Sequence, residues 1–315
     1  MPPSTPQRLR GVLAPVLTPF DAALKPDAAR FLRLCRWLVA QDCGLAMFGT
    51  NSEGNSLSVD ERIELLRQAV AAGVPATRML PGTGSCSLAD AVRLTRCAVD
   101  HGCAGVLALP PFYYKSVTDD GLFAFFSEVI ERVGDSGLRL YLYHIPPVAQ
   151  VGFSHALVER LLKRYPGTVA GMKDTGGDWD YTARTIRQFG PAGFDVFAGT
   201  ETLLLDTLRH GGAGCISATA NVNPRAIVRL FETWQDADAD ARQAALNAVR
   251  AKFAAHPLIP AMKSAIAMAT GDAQWARVRP PLEALDAQRQ EALRQALRDQ
   301  AFDLAALDVD AGDRH

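Results

Sequence analysis

The stretch Thr168-Val169-Ala170-Gly171-Met172-Lys173-Asp174-Thr175-Gly176-Gly177 holds one unit of the fold. It begins as a short apolar run, closes in polar and small residues, and leads into a segment of helical period over 178–188. Seven further runs of this kind occur, at 11–16, 45–48, 78–80, 105–109, 138–143, 194–198 and 214–217. Their starts lie roughly 20 to 35 residues apart, the length of one strand-and-helix unit of an α/β barrel. The other intervening helical segments cover 27–40, 58–71, 87–100, 119–132, 154–164 and 201–209, and Ser58 with Glu61 has the pattern of a capping box. Eight uninterrupted units predict a closed (β/α)8 TIM barrel over residues 11–224. A doubly wound open sheet would show the same alternation, so periodicity alone leaves that form open. Beyond the eighth run only helical segments recur, at 224–234, 239–255, 259–268 and 282–304, which predicts a C-terminal helical appendage over 225–307. The flanks, 1–10 and 308–315, are expected to be disordered.

Composition narrows the setting. Hydrophobic residues make up 48% and charged residues 21% of 315, the balance of a soluble globular protein with a large core. Thirty-three basic side chains against 34 acidic ones leave a net charge of -1, which argues against nucleic acid or anionic membrane as partners. No apolar stretch approaches the roughly 18 residues of a membrane span. The first ten residues lack the apolar core of a secretory signal, and six cysteines without a C-x-x-C pattern read as reduced core thiols. A cytoplasmic protein is expected.

In such barrels the chemistry sits at the carboxyl ends of the strands and in the loops after them. Of six lysines, Lys25, Lys115, Lys163, Lys252 and Lys263 fall in loops or helices and read as solvated surface charges. Lys173 instead closes an apolar run, where an ammonium is largely desolvated and must be paired or neutralised. An ion pair with Asp174 is one reading, although adjacent strand residues face opposite ways. The other is imine formation with a carbonyl substrate, in which the neutral amine attacks and the iminium becomes an electron sink, with no cofactor. Tyr143, at the end of the preceding run, is either a packed tyrosine or the proton shuttle such chemistry needs. The Thr50-Asn51-Ser52 turn is either a plain polar turn or a set of neutral donors for a substrate carboxylate.

Other chemistries find less support. Among the histidines, His101, His144, His155, His210, His256 and His315, only His144 falls at a functional strand end, so no metal site is expected. Gly82-Thr83-Gly84 lacks the third glycine of a phosphate-binding fingerprint and reads as a tight turn beneath the mouth. The loops holding Glu201 and Asn221 are not glycine-rich anion cradles, which argues against a phosphosugar. A barrel that senses 2-oxo acids without turnover would be expected to lack Lys173, Tyr143 or Thr50, and all three are present.

Gly49-Thr50-Asn51-Ser52-Glu53, Gly82-Thr83-Gly84 and Pro110-Pro111-Phe112-Tyr113-Tyr114-Lys115 stand in one order with Tyr143-His144-Ile145-Pro146, Gly171-Met172-Lys173-Asp174-Thr175 and Ala220-Asn221-Val222. In this order and spacing the chain resembles the dihydrodipicolinate synthase/N-acetylneuraminate lyase family, and Arg279-Pro280-Pro281-Leu282 extends the likeness into the appendage. The resemblance implies class I, pyruvate-type aldolase chemistry on a 2-oxo acid. It implies Lys173 as the Schiff-base lysine, Tyr143 as proton donor and acceptor, and Thr50 as a relay between Tyr143 and Tyr113. It also implies that Tyr113 crosses from a neighbouring subunit, hence a homo-oligomer, dimer or tetramer. Asn51 matches a carboxylate-binding position, Gly199 a substrate-facing backbone position, and Ile216 a residue lining the lysine pocket. Departures bear on the substrate: Val148 stands where the lysine-biosynthetic synthases carry a carboxylate-gripping arginine, His144 where asparagine is common, and Ser52 where glycine is usual. The pattern is closer to 4-hydroxy-2-oxoglutarate and 2-keto-3-deoxy acid aldolases, with the synthase and a sugar-acid dehydratase as alternatives.

Overall fold

The computed structural model of the chain describes residues 9–309. Seven parallel strands, β1 (Gly11–Ala14), β2 (Gly44–Leu45), β3 (Val106–Ala108), β4 (Leu140–His144), β5 (Val169–Asp174), β6 (Asp195–Ala198) and β7 (Gly214–Ile216), pair in the order β2-β1-β7-β6-β5-β4-β3. The run at 78–80 supplies the eighth stave without forming a regular strand. It makes single parallel bridges, Leu45 with Met79 and Gly82 with Leu107. Leu80 N–H donates to the Leu45 carbonyl at 2.8 Å, and Leu107 N–H donates to the Pro81 carbonyl at 2.9 Å. Pro81 has no N–H to give, so the ladder thins to isolated bonds there. These bonds join β2 to β3 and close the circle, which decides for a TIM barrel over an open sheet.

The helices are α1 (Ala28–Ala40), α2 (Val59–Ala71), α3 (Leu88–Asp100), α4 (Asp119–Val133), the short α5 (Pro146–Ala149), α6 (His155–Arg164), α7 (Trp179–Phe189), α8 (Leu204–Arg209) and α9 (Pro224–Glu232). Asp27, Ser58, Ser87, Thr118, Ser154 and Asp178 each accept a first-turn N–H, a contribution of about 1 kcal/mol per cap. The Ser58–Glu61 box forms in both directions. α9 lies against β1, where the Phe231 ring covers Gly11, so this helix serves the barrel although the sequence places the start of the appendage at 225. The appendage proper is α10 (Ala239–Ala254), α11 (Leu258–Thr270) and α12 (Ala287–Asp299). α12 is shorter than the predicted 282–304 because its cap is Asp286, whose side chain accepts from Arg289 N–H.

Strand alternation divides the apolar side chains into two cores. Leu13, Ala46, Leu80, Leu107, Tyr141, Phe197 and Ile216 fill the barrel interior, while the outward residues pack beneath the helices. Cys35, Cys43 and Cys215 lie in the outer core, but Cys97 and Cys103 are half-buried and Cys86 is exposed, so the core-thiol reading holds for three of six; all six are free. Of the expected disordered flanks, 1–8 and 310–315 lie outside the described residues. Leu9 packs against the inner core, Arg10 Nη2 donates to the Gly212 carbonyl at 3.1 Å, and Val309 is buried. No helix among the described residues is long and apolar enough to cross a membrane.

His144 ends β4 facing outward. Its Nδ1 accepts from Phe153 N–H at 3.1 Å and its ring stacks on Tyr181 with centroids 4.4 Å apart. Burial, with His155 acting in the same direction, pushes its pKa down to about 4. The unfolded imidazole takes up a proton below about pH 6.5 and the folded one only near 4, so stability falls as pH drops through that window, by up to about 3 kcal/mol. His144→Asn, which keeps an acceptor for Phe153, is expected to flatten this acid-side loss in urea midpoints measured from pH 7 downward. At the β1–β7 seam Gly214 has φ +140°, and a Cβ there would overlap the Gly11 carbonyl. Gly214→Ala is expected to lose at least about 3 kcal/mol of unfolding free energy in urea titrations.

Candidate active site

On β5 the alternation sends Met172 outward, Lys173 inward and Asp174 outward. Asp174 accepts from Thr182 Oγ1 at 2.6 Å and from Gly176 N–H at 2.8 Å, on the side away from the barrel axis. Its burial raises its pKa, with the Thr182 and Gly176 hydrogen bonds acting the other way. The ion-pair reading of Lys173 therefore fails on geometry. Register places Tyr143 on one side of the lysine and Phe197 on the other. Lys173 is 2% exposed and its Nζ donates to Tyr143 Oη at 3.2 Å, lying 4.3 Å from the centre of that ring. Tyr143 is equally buried, and its Oη shares a 3.2 Å hydrogen bond with Thr50 Oγ1. An amine, a phenol and a hydroxyl thus form one chain at the mouth of the barrel.

The floor beneath them is solid. Tyr141 and Phe197 meet edge to face at 6.0 Å, and Gly171 is required because a Cβ would strike the Tyr141 ring and the Asp195 carbonyl. Ile216 lies in this interior cluster with Tyr143 and Phe197. Gly199 sits at the end of β6, where its N–H donates to the Asp174 carbonyl at 2.6 Å and a side chain would collide with Thr175. Asn51 follows Thr50 in the same turn and is half-buried. Tyr113 does not join the cluster. It is 72% exposed, its ring edge-on to Tyr114 at 5.3 Å. His144 also points away, into the helix layer, and no cluster of three or more possible metal ligands occurs among the described residues.

Two buried carboxylates that the sequence reading gave no role hold the loops of the mouth. Glu53 sits in the left-handed region, φ 54°, at a cost of about 1–2 kcal/mol for a non-glycine residue. Its carboxylate accepts from Lys263 Nζ and, at 2.9 Å, from Arg279 N–H. Lys263 is thus a correction: expected as a solvated charge, it is fully buried on α11, also donates to the Arg277 carbonyl at 2.8 Å, and lies over the Phe20 ring. Burial lowers its pKa to about 8, with the attraction of Glu53 opposing the shift. Glu201, after β6, accepts from Ser217 and Thr219 and pairs with Arg250 Nη1 of α10 at 3.4 Å. These partners lie up to 226 residues apart in sequence, so no local pattern reveals them.

The profile of the Dihydrodipicolinate synthetase family matches residues 8–300. An uncharacterized DapA-like lyase of Chloroflexus aurantiacus is 32% identical over 290 residues, covering 91% of this chain and 95% of that protein. Dihydrodipicolinate synthase from Agrobacterium tumefaciens superposes with a TM-score of 0.84 at 31% identity, covering 92% of this chain and 99% of the other. YagE, a prophage protein of Escherichia coli K12 belonging to the dihydrodipicolinic acid synthase family and solved with pyruvate, superposes at 0.84 with 27% identity, covering 93% and 99%. A full-length family match on a barrel that carries a buried lysine beside a tyrosine leaves one assignment: the chain belongs to the dihydrodipicolinate synthetase family and is an enzyme of the lyase class.

Proposed function

We propose that this enzyme makes or breaks a C–C bond between pyruvate and an aldehyde through a Schiff base on Lys173, acting on a 2-oxo acid such as 4-hydroxy-2-oxoglutarate or a 2-keto-3-deoxy sugar acid. The observation that carries the reading is the buried Lys173 Nζ, 3.2 Å from Tyr143 Oη, with its neighbouring carboxylate turned away. The amine attacks the 2-oxo carbon, and Tyr143 supplies the proton that lets the carbinolamine oxygen leave as water. A base then takes the proton of the C4 hydroxyl, the C3–C4 bond breaks with its electrons drawn into the iminium, and the aldehyde leaves an enamine behind. Protonation of the enamine at C3 and hydrolysis of the resulting imine return pyruvate. Thr50 carries protons between Tyr143 and solvent-side groups, with Tyr113 of a second copy of the chain as the outer member. Hydroxyl, amide and N–H groups of Thr50 and Asn51 bind the substrate carboxylate, Gly199 meets the substrate with its backbone, and Ile216 lines the lysine pocket. The reaction needs no cofactor, and a cytoplasmic setting fits the free thiols.

Tyr113 bears on the oligomer: within one chain it is 72% exposed and makes no hydrogen bond to Thr50 or Tyr143, so its place in the relay requires that it come from a second copy. Tyr114, whose ring meets that of Tyr113, is also exposed, as is Val148. Val148 also bears on the substrate. It stands on α5 where the family's synthases place a carboxylate-gripping arginine, and a hydrocarbon there forfeits a bidentate contact of roughly 1.5–3 kcal/mol. That favours an aldehyde partner without a carboxylate held at this point. The synthase reading has support of its own in the 31% identity with the Agrobacterium enzyme over nearly its whole length and in several relatives named 4-hydroxy-tetrahydrodipicolinate synthase at 31–34% identity.

Borohydride reduction with pyruvate, followed by intact mass, is expected to give a covalent adduct that Lys173→Ala abolishes; no adduct with any 2-oxo acid would sink the mechanism. Tyr143→Phe is expected to keep some imine trapping while turnover falls by about 10²–10⁴. In a panel of 2-oxo acids coupled to lactate dehydrogenase, 4-hydroxy-2-oxoglutarate or a 2-keto-3-deoxy acid should release pyruvate fastest. Efficient condensation of pyruvate with aspartate semialdehyde would instead establish the synthase. Analytical ultracentrifugation should find a dimer or tetramer, and a fully active monomer would remove Tyr113 from the relay.

A further inference from the structure

The turn that presents Thr50 contains one left-handed residue, and Thr18 Oγ1 from the loop after β1 donates to its Ser52 carbonyl at 2.7 Å. Ser52 N–H and Gly54 N–H both donate to the Gly49 carbonyl, at 3.2 and 3.0 Å, and Glu53 N–H donates to the Thr50 carbonyl at 3.1 Å. Glu53 holds a left-handed backbone at the end of this turn, a conformation its side chain does not favour. The carboxylate, however, is anchored from outside the barrel, by Lys263 Nζ of α11 and by the Arg279 N–H. Both cations face the Phe20 ring from the loop after β1, at 4.5 and 4.7 Å. Arg279 extends the anchor: it grips Glu61 of α2 through two nitrogens, at 2.9 and 2.8 Å, and donates to the carbonyls of Ser56 and Leu24. Glu61 is the same residue that closes the capping box on Ser58, so the segment is tied to the appendage at Glu53 and again at Glu61.

We propose that Lys263 is a positioning residue for the lyase reaction: its buried ion pair with Glu53 locks the 49–54 turn and so holds Thr50 at hydrogen-bond distance from Tyr143. The proposal rests on the Schiff-base reading of the site. It assigns a catalytic consequence to a helix that contributes no group to the reacting atoms. A buried carboxylate without its cation would draw in water or shift toward a new donor, and the left-handed turn would relax. Thr50 would then leave Tyr143, whereas Lys173, seated on β5, would stay in place.

The test compares the wild type with Lys263→Met and with the double variant Lys263→Met/Glu53→Gln, which removes both charges and keeps an acceptor for the Arg279 N–H. The double variant keeps the comparison open where the single one, with its stranded carboxylate, does not fold. Amide exchange of the 49–57 peptide should speed up in the folded variants while the strands stay protected. The kcat should fall by about 10²-fold, the loss a misplaced relay group brings, with KM for the 2-oxo acid nearly unchanged. Borohydride trapping with pyruvate should still go to completion. Introducing Thr50→Val into the double variant should lower kcat little further, because both changes act through the same hydroxyl. Unchanged exchange and unchanged kcat in a folded variant would overturn the proposal. So would trapping that falls in step with turnover, which would mean a general collapse of the site, or fully additive losses with Thr50→Val. A wild type that yields no adduct would instead overturn the Schiff-base reading, and the exchange data would then decide by themselves whether the pair locks the turn.

Discussion

A strand turns successive side chains to opposite faces, and on β5 that parity places Lys173 inside the barrel while sending Met172 and Asp174 into the helix layer. The site depends on this separation. Were the register shifted by one, the carboxylate would occupy the interior and the lysine would reach Thr182. Instead, among the described residues, the amine meets a phenol and, beyond it, a threonine hydroxyl, in a space walled by aromatic and aliphatic side chains. An amine that is buried without a carboxylate is expensive to keep as a mere structural feature. That expense is the physical reason to read it as a nucleophile.

The barrel makes this position possible through backbone approach at a few points. Gly171 lets the Tyr141 ring slide under the lysine, and Gly214 lets β7 meet β1 where any side chain would strike a carbonyl. The weakest stave, with Pro81 in it, sits between β2 and β3, far around the ring from β5. The well-paired half, β4 to β6, is the half that carries Tyr143, Lys173 and Gly199. The longest ladder thus carries Tyr143 and Lys173, while Thr50 stands in the loop after the two-residue β2, beside the weak stave.

The loops are a different case. They lack ladder hydrogen bonds, and the mouth is stiffened by ion pairs that run outward to the appendage: Glu53 to Lys263, Glu61 to Arg279, Glu201 to Arg250. Each joins a loop or helix following a strand to residues added after the barrel is complete. The appendage in this way completes the site without touching the lysine. The chain's family membership accounts for the barrel, while these links explain why the helices behind it belong to the same working unit.

The sequence by itself determined the barrel, its caps and the lysine at a strand end, because those signals are local: apolar runs of strand length, N-cap residues such as Ser58, and one charge closing an apolar run. It also put Tyr143 and Thr50 at strand ends that share one face of a barrel, and the fold brings their oxygens within 3.2 Å of each other. Only the tertiary structure decided that Asp174 turns away, that His144 is a neutral packing residue, that residues 78–80 bridge rather than form a strand, and that Tyr113 stands in solvent within a single chain. Lys263 shows the reason most clearly. On a helix it looks like any surface lysine, and its burial follows from a carboxylate 210 residues earlier that folding brings against it. Contacts at that separation leave no periodic trace, because the pairing depends on how the helices after the barrel fold back onto its mouth.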